Sequence, residues 1–376
     1  MALSTRKYYP NTDKILFFEI LFGFSLLLYN LNPEILSSMN NQFETVPFEA
    51  LDGFSCNLKH YVSGNPTPKG PVLLVHGAGV RSNIFNPPAD RNIIHMLSEA
   101  GYDVWLENWR ASIDLEPNKW DLDQVAHYDH PAAVQKVLEC TGKSDLKAIV
   151  HCQGSTSFMI SAALGLLPQV KVIISNAVSL HPVIPRFSVF KLNVLLPIVG
   201  TAFDYLDPSW GLGAPDFKSK LIKKVVKATH WEADTTVGKM VSFTYGSGMP
   251  ALWELENLDK KTMDWIQYEF AHVPLTFFRH IRRCVRKGVL GPSKASGMDY
   301  TVTPPKTDAR VVLFAGVKNK CFLASSQERT FEYLDKLNPG FHQLYLLDKY
   351  SHLDVFFGKD AHEDVFPKMI AELDKG

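Results

Sequence analysis

The residues best suited to covalent chemistry lie in the stretch Ile149-Val150-His151-Cys152-Gln153-Gly154-Ser155-Thr156, where an apolar run meets a cysteine followed by small residues. Nucleophilic acyl transfer needs a nucleophile on a sharp strand-to-helix turn, small neighbours that permit the turn, and a base. Cys152 stands where the strand-like "LKAIV" gives way to a helix expected to begin near Gly154. A helix N-terminus offers unpaired N–H groups and the positive end of a dipole. A thiol there is expected to be acidified below its free value of about 8.5.

Taken alone, a cysteine is more often a buried structural residue. Three accompanying features argue otherwise. Gly154 and Ser155 leave room at the turn, and His76-Gly77-Ala78-Gly79 closes an earlier apolar run where a second N–H donor would be needed. The third is His352, after the last strand-like run, which can supply the base. His151 reads as a packing or supporting residue, and His127 with His130 does not read as a metal pair. No metal or other cofactor is expected.

The elements around these residues alternate. "PVLLVHGAG", "YDVWLENWR", "LKAIVHC" and "VKVIISNAVSL" read as buried strands, with "NIIHMLSEAG", "YDHPAAVQKVLECTG" and "GSTSFMISAALGLL" as helices between them. That rhythm implies an α/β fold with a mostly parallel sheet and helices on both faces. It fails after Pro182 and resumes at Asp308 with "ARVVLFAG". The expected organisation is a core of residues 47–182 and 308–376, a largely helical cap inserted at 183–307, and an apolar N-terminal segment, 1–46. Within that segment, 15–29 ("ILFFEILFGFSLLLY") is short of the ~18–20 residues of a membrane span. It fits a helix docked on the protein or a monotopic anchor, and a signal or spanning segment stays open.

Lys plus Arg equals Asp plus Glu, 39 each, so no charge excess favours a nucleic-acid partner. Five scattered cysteines do not form a disulfide framework. Together with the lack of a glycosylation sequon, they favour a reducing, cytoplasmic setting, with membrane association through 15–29 and secretion both open.

In order along residues 47–376, "LLVHGAG", "GYDVWLENWR", "HYDHPAAV", "HCQGS" and "YSHLDVFFG" resemble the oxyanion strand, second strand, helix start, nucleophile elbow and catalytic-histidine loop of α/β-hydrolases of the acid-lipase type. "DVWLENWRASIDL" and "NKCFLASSQERTFEYL" resemble, more closely, the hydrolase regions joined to cholesterol-oxidase-type GMC oxidoreductases, although no flavin-binding fingerprint is present. "CQGS" is also similar to the "CQGG" elbow of polyhydroxyalkanoate synthases. The resemblance implies Cys152 as nucleophile, His352 as general base, and the backbone N–H groups of Ala78 and Gln153 as the oxyanion hole, supported by His76, Gly77, Gly154 and Ser155.

Two positions depart from the lipase pattern: Val150 replaces the elbow's first glycine, and Asn319 stands three residues after Gly316, where an aspartate is usual. Asparagine can orient a histidine through its amide oxygen but cannot stabilise an imidazolium by charge. Asp354 is the alternative acid. The expected activity is cysteine-dependent hydrolysis of a lipophilic ester or thioester through an acyl-Cys intermediate. Transfer of the acyl group to an alcohol or amine is the alternative, and non-catalytic ligand binding is a second one.

Overall fold

The computed structural model describes residues 42–231, 235–246, 252–294 and 296–376. The apolar stretch 15–29 lies outside them. Among the described residues, no helix is long and apolar enough to cross a membrane.

Eight strands form one sheet in the order β1-β2-β4-β3-β5-β6-β9-β10. In chain order they are β1 (Phe43–Glu49), β2 (Ser55–Tyr61), β3 (Pro71–Val75), β4 (Asp103–Asn108), β5 (Leu146–His151), β6 (Val170–Asn176), β9 (Arg310–Gly316) and β10 (Gln343–Leu347). β2 pairs with β4 antiparallel, and every pairing from β4 across to β10 is parallel. All five residues of β3 are buried, as a strand covered on both faces demands. The remaining pair, β7 (Tyr205–Leu206) and β8 (Val273–Pro274), forms a small antiparallel sheet of its own.

The helices used below are α1 (Ile93–Glu99), α2 (His130–Thr141), α3 (Cys152–Ala163), α4 (Arg186–Phe190), α5 (Leu196–Val199), α6 (Phe217–Thr229), α7 (Thr236–Tyr245), α8 (Lys260–Ile266), α9 (Leu275–Lys287), α10 (Ser325–Leu337) and α11 (Phe366–Leu373). A π-helical stretch, Lys191–Leu195, joins α4 to α5. The crossovers are right for a parallel sheet: α1 links β3 to β4, α2 links β4 to β5, and α3 links β5 to β6. Between β6 and β9 the chain instead runs through α4 to α9 before rejoining the sheet. This excursion has a small core of its own, in which Trp210, Val226 and Met240 pack with Phe203, Ile222 and Phe243.

One buried ion network ties the start of the sheet to α2. Arg110, after β4, donates two bonds to Asp52 (2.9 and 2.7 Å), and its Nε and backbone N–H reach Asp129 at 2.8 and 2.9 Å. Asp129 is fully buried, so its charge depends on that guanidinium. The run "NWR" and the aspartate of "HYDH" are therefore one structural unit, brought together over 19 residues.

Candidate active site

β5 ends at His151, and α3 begins at Cys152 itself, two residues earlier than the glycine suggests. The turn is made at Cys152 itself, whose φ of +55° is a left-handed conformation that costs a non-glycine residue about 1–2 kcal/mol. Gly154 allows α3 to press against β3, because a Cβ there would lie 2.2 Å from the carbonyl oxygen of His76. The cost of the strained cysteine is met by the packing of α3, all twelve of whose residues are buried.

The loop after β3 brings the second donor. The backbone N–H groups of Ala78 and Gln153 stand near the Cys152 sulfur and favour its ionised form. The two residues expected to bind an oxyanion therefore lie together beside the Cys152 sulfur. Tyr245 of α7 reaches in from the excursion and donates its hydroxyl to the Ala78 carbonyl at 3.1 Å.

His352 lies on the loop after β10, whose backbone N–H groups at 352 and 353 bond to the Leu252 carbonyl at 3.3 and 2.7 Å. One ring nitrogen of His352, one of His151 and the Cys152 sulfur all lie within 4.8 Å of one another. The two imidazoles meet edge to face with centroids 4.7 Å apart. The sequence reads His151 as a packing or supporting residue, and the structure places it beside Cys152. Its place at the end of β5, immediately before the elbow, was the available signal that it borders the nucleophile.

The hydrogen bonds behind the two rings give them opposite tautomers. His151 Nδ1 faces the Asn176 side-chain oxygen at 2.7 Å, and that oxygen can only accept. His151 therefore carries its proton on Nδ1, and its other nitrogen is a lone pair. His352 Nδ1 faces the Asn319 amide nitrogen at 3.0 Å, which can only donate. His352 is thus protonated on Nε2. The Asn319 amide is held this way round because its oxygen accepts from the backbone N–H groups of Cys321 and Phe322, at 2.9 and 3.1 Å. The expectation that Asn319 orients His352 through its oxygen is corrected accordingly: the oxygen is occupied and the amide nitrogen meets the ring.

Asp354 is engaged elsewhere. It accepts from the Ser351 and Glu254 backbones (2.8 and 3.2 Å) and from Asn257 Nδ2 (2.7 Å), pinning the His352 loop to the excursion. Burial raises its carboxyl to about 6. His76 bonds through Nδ1 to the Gly77 carbonyl at 2.6 Å and stacks on Trp109, and the Ser155 hydroxyl meets that of Ser175 at 2.7 Å. Both brace the elbow from behind. Beneath α3 a second series, Glu107–His130–Ser157, is fully buried, with Ser157 donating to the Gln153 carbonyl at 2.9 Å.

The thiol is not acidified. Burial pushes Cys152 up to about 12, outweighing the N–H groups of Gln153 and Ala78 that pull it down. The helix terminus is present as expected, but side chains of the excursion remove the water a thiolate needs. Alkylation of Cys152 by iodoacetamide is therefore expected to be slow at pH 7 and to rise about tenfold per pH unit well into the alkaline range, since only the thiolate reacts. A rate that levels off near neutrality, followed by mass spectrometry of the modified peptide, would contradict this.

Burial acts on the histidines in the opposite direction: His76 falls to about 3, His151 to about 4, and His352 well below its usual value. Bases with depressed folded values bind fewer protons than in the unfolded chain. Their contribution to stability is complete above pH ~6.5 and is lost as pH falls towards 4. The melting temperature is expected to drop steeply over that window, and a midpoint flat from pH 7 to 4 would refute the neutral buried imidazoles.

The cluster His151–Cys152–His352 could also hold a metal ion, but His352 would have to surrender its Nε2 proton to ligate. The group Asp121, Asp123 and His280 is already committed: Asp121 caps a helical turn at Gln124, Asp123 accepts from Ser293 and Tyr300, and His280 bonds to Leu122 N–H and the Gly291 carbonyl.

No protein-family model matches the chain. It is 28% identical to lipase member K of Homo sapiens, over 94% of this chain and 95% of that protein. It is 30% identical to sterol esterase 2 of Saccharomyces cerevisiae over 30% of this chain, a match spanning only 24% of the esterase. Among solved structures, it is similar to a soluble variant of monoglyceride lipase from Saccharomyces cerevisiae in complex with a substrate analogue, with a TM-score of 0.54 and 18% identity over 88% of this chain and 96% of that one. Joined to the eight-stranded, mostly parallel sheet and its helices, these likenesses give the chain the α/β-hydrolase fold and a sequence similar to that of a lipase.

Proposed function

We propose that the chain is an acyl hydrolase of lipophilic esters or thioesters, with Cys152 as nucleophile and residues 183–307 as a cap over it. One observation carries the reading: a cysteine in the left-handed elbow conformation, with two backbone N–H groups and two imidazoles gathered at its sulfur. The small cavity beside it is lined by apolar side chains from α9 (Phe277, Phe278, Ile281 and Val285), a lining compatible with an acyl chain once the walls part.

In the tautomers that the Asn176 and Asn319 contacts imply, the nitrogen free to take the thiol proton belongs to His151. As that proton moves, the sulfur attacks the acyl carbon, and the oxyanion develops against Ala78 and Gln153 N–H. Collapse expels the alcohol or thiol, which takes the proton back. Water then attacks the acyl-thioester, giving its proton to the same nitrogen, and the free acid leaves as the thiol reforms. Transfer to an alcohol or amine is the same sequence with another acceptor in place of water.

A second reading, a ligand-binding homologue without turnover, is favoured by one specific combination: a thiol that burial pushes up to about 12, beside a His352 whose Nδ1 faces the Asn319 amide nitrogen. Intact-mass measurement of the full chain with a chromogenic acyl ester separates the readings. An adduct on Cys152, absent in Cys152→Ala and decaying as free acid appears, supports the hydrolase. An adduct that persists until alcohol or amine is added supports transfer. If none forms while Cys152→Ala still binds the ester's acid product, the binding reading stands and the hydrolase is refuted.

A further inference from the structure

The excursion between β6 and β9 presents an outer face whose composition differs from the rest of the chain. The whole sequence is charge-balanced, yet α6 carries five lysines and α9 four arginines and a lysine, with no acidic residue in either helix. On α9, Arg279, Arg282, Arg283 and Arg286 recur at i, i+3, i+4 and i+7, so they share one side of the helix. With Lys287 they line an open cleft of about 360 Å³. Lys287 pairs with Asp299 at 2.6 Å. None of the four arginines has a carboxylate partner among the described residues, although like charges this close repel one another.

Apolar side chains accompany the cations. On α6, Phe217, Leu221 and Val225 are 80%, 53% and 52% exposed and stand at i, i+4 and i+8. The opposite side of α6 is anchored by Val226 and Ile222 in the small core, so this exposed row is a second apolar face of a basic helix. Along α4–α5, Phe187, Phe190, Val194 and Ile198 form another exposed row. Single exposed apolar residues are ordinary, but aligned rows flanked by cations are not. The three elements are continuous: Arg282 Nε donates to the Asn193 side chain at 2.9 Å, and Lys218 Nζ reaches the Ala202 carbonyl at 3.5 Å.

We propose that this face docks on an anionic phospholipid surface, with lipid phosphates in the arginine cleft and the two apolar rows sunk into the headgroup layer. A basic amphipathic helix with an unburied apolar row has this use, and unpaired arginines match phosphate geometry. A second copy of the chain is a poor occupant, because it would bring an equally cationic face. The apolar rows, which a soluble phosphate would leave in water, decide for lipid. α4 and α9 also wall the cavity beside Cys152, through Ser188 on one and Phe278 and Ile281 on the other. Docking therefore sets the cavity's outer wall against the bilayer. The proposal does not rest on turnover, since binding alone reads it.

The test is sedimentation of the full chain with phosphatidylcholine vesicles, and with vesicles in which part of that lipid is replaced by phosphatidylglycerol. Three variants are compared: Arg283→Glu with Arg286→Glu; Leu221→Ser with Phe190→Ser; and the first pair with its charges exchanged for glutamine. Expected are salt-sensitive binding confined to the anionic vesicles and a loss of at least tenfold in the charge-reversed and apolar variants. The glutamine variant should fall between, at unchanged melting temperature. Equal binding to both vesicle types overturns the proposal, as does anionic binding that all three variants retain, which would place the contact elsewhere in the chain. Binding of inorganic phosphate that tracks the arginines while vesicles are ignored would overturn it too, in favour of a soluble ligand.

Discussion

Asn319→Asp is expected to raise kcat/KM for an acyl ester by about 10²–10⁴, the reverse of the roughly 10⁴-fold loss that follows when a triad aspartate becomes asparagine. In the wild-type chain the amide oxygen is held by the N–H groups of Cys321 and Phe322, and the amide nitrogen forces the His352 proton onto Nε2. A carboxylate keeps the first pair of bonds and turns the second atom into an acceptor. His352 then carries its proton on Nδ1 and offers a lone pair towards the sulfur. The exchange also moves the base. His151→Gln should cost more than His352→Gln in the wild-type background, and the order should invert beside Asn319→Asp. Steady-state kinetics of the four combinations measure this. An aspartate variant no faster than wild type, with His352→Gln the more damaging change in both backgrounds, would refute the tautomer assignment.

Gly154→Ala is expected to cost about 3 kcal/mol or more of stability. Its new Cβ would lie 2.2 Å from the His76 carbonyl oxygen, 2.9 Å from Val75 Cγ1 and 3.2 Å from the His76 carbonyl carbon. Two of the three are backbone atoms at the end of β3, which the sheet holds on both sides. Neither can move without dragging the oxyanion loop with it. Urea unfolding should show a lower midpoint at unchanged slope. Gly213→Ala, where a Cβ meets nothing within 4 Å, is the matched control and should unfold near the wild-type midpoint. If the two variants unfold together, α3 is not in the close contact with β3 described above.

The parts that sequence made legible are those governed by short-range pattern. Wholly apolar runs such as "PVLLV" allow little except a strand buried on both faces, and the glycine-bounded helices between them fix the crossovers. The break after Pro182 announces the long excursion for the same reason, because the alternation stops. Cys152 at the junction of β5 and α3 follows from an apolar run meeting small residues.

What stayed hidden depends on atoms far apart in sequence. The orientation of the Asn319 amide is set by two backbone N–H groups in a loop that no periodicity describes. The high value of the Cys152 thiol comes from side chains of the excursion, Tyr245 and Phe278 among them, about a hundred residues downstream. Asp354, two residues beyond His352, is the alternative acid in sequence, although that closeness makes it a poorer orienter. Its Oδ2 instead accepts from Glu254 and Asn257, a hundred residues away, and its Oδ1 accepts from the Ser351 backbone. His151 looked like packing because a histidine at a buried strand end usually is. Only the Asn176 oxygen behind it shows which of its nitrogens is free.

The cavity beside Cys152 holds about 60 Å³, room for a few water molecules and not for an acyl chain. A substrate can enter only a conformer in which the walls supplied by α4, α7 and α9 have separated. The measured dissociation constant is then the intrinsic one divided by the small fraction of molecules already open, so the affinity is weakened by that fraction. Observed association rates should accordingly level off at high ligand concentration, at the opening frequency of the walls. Two substrates of very different reactivity would then share the same ceiling, set by the parting of the walls and not by the thiol.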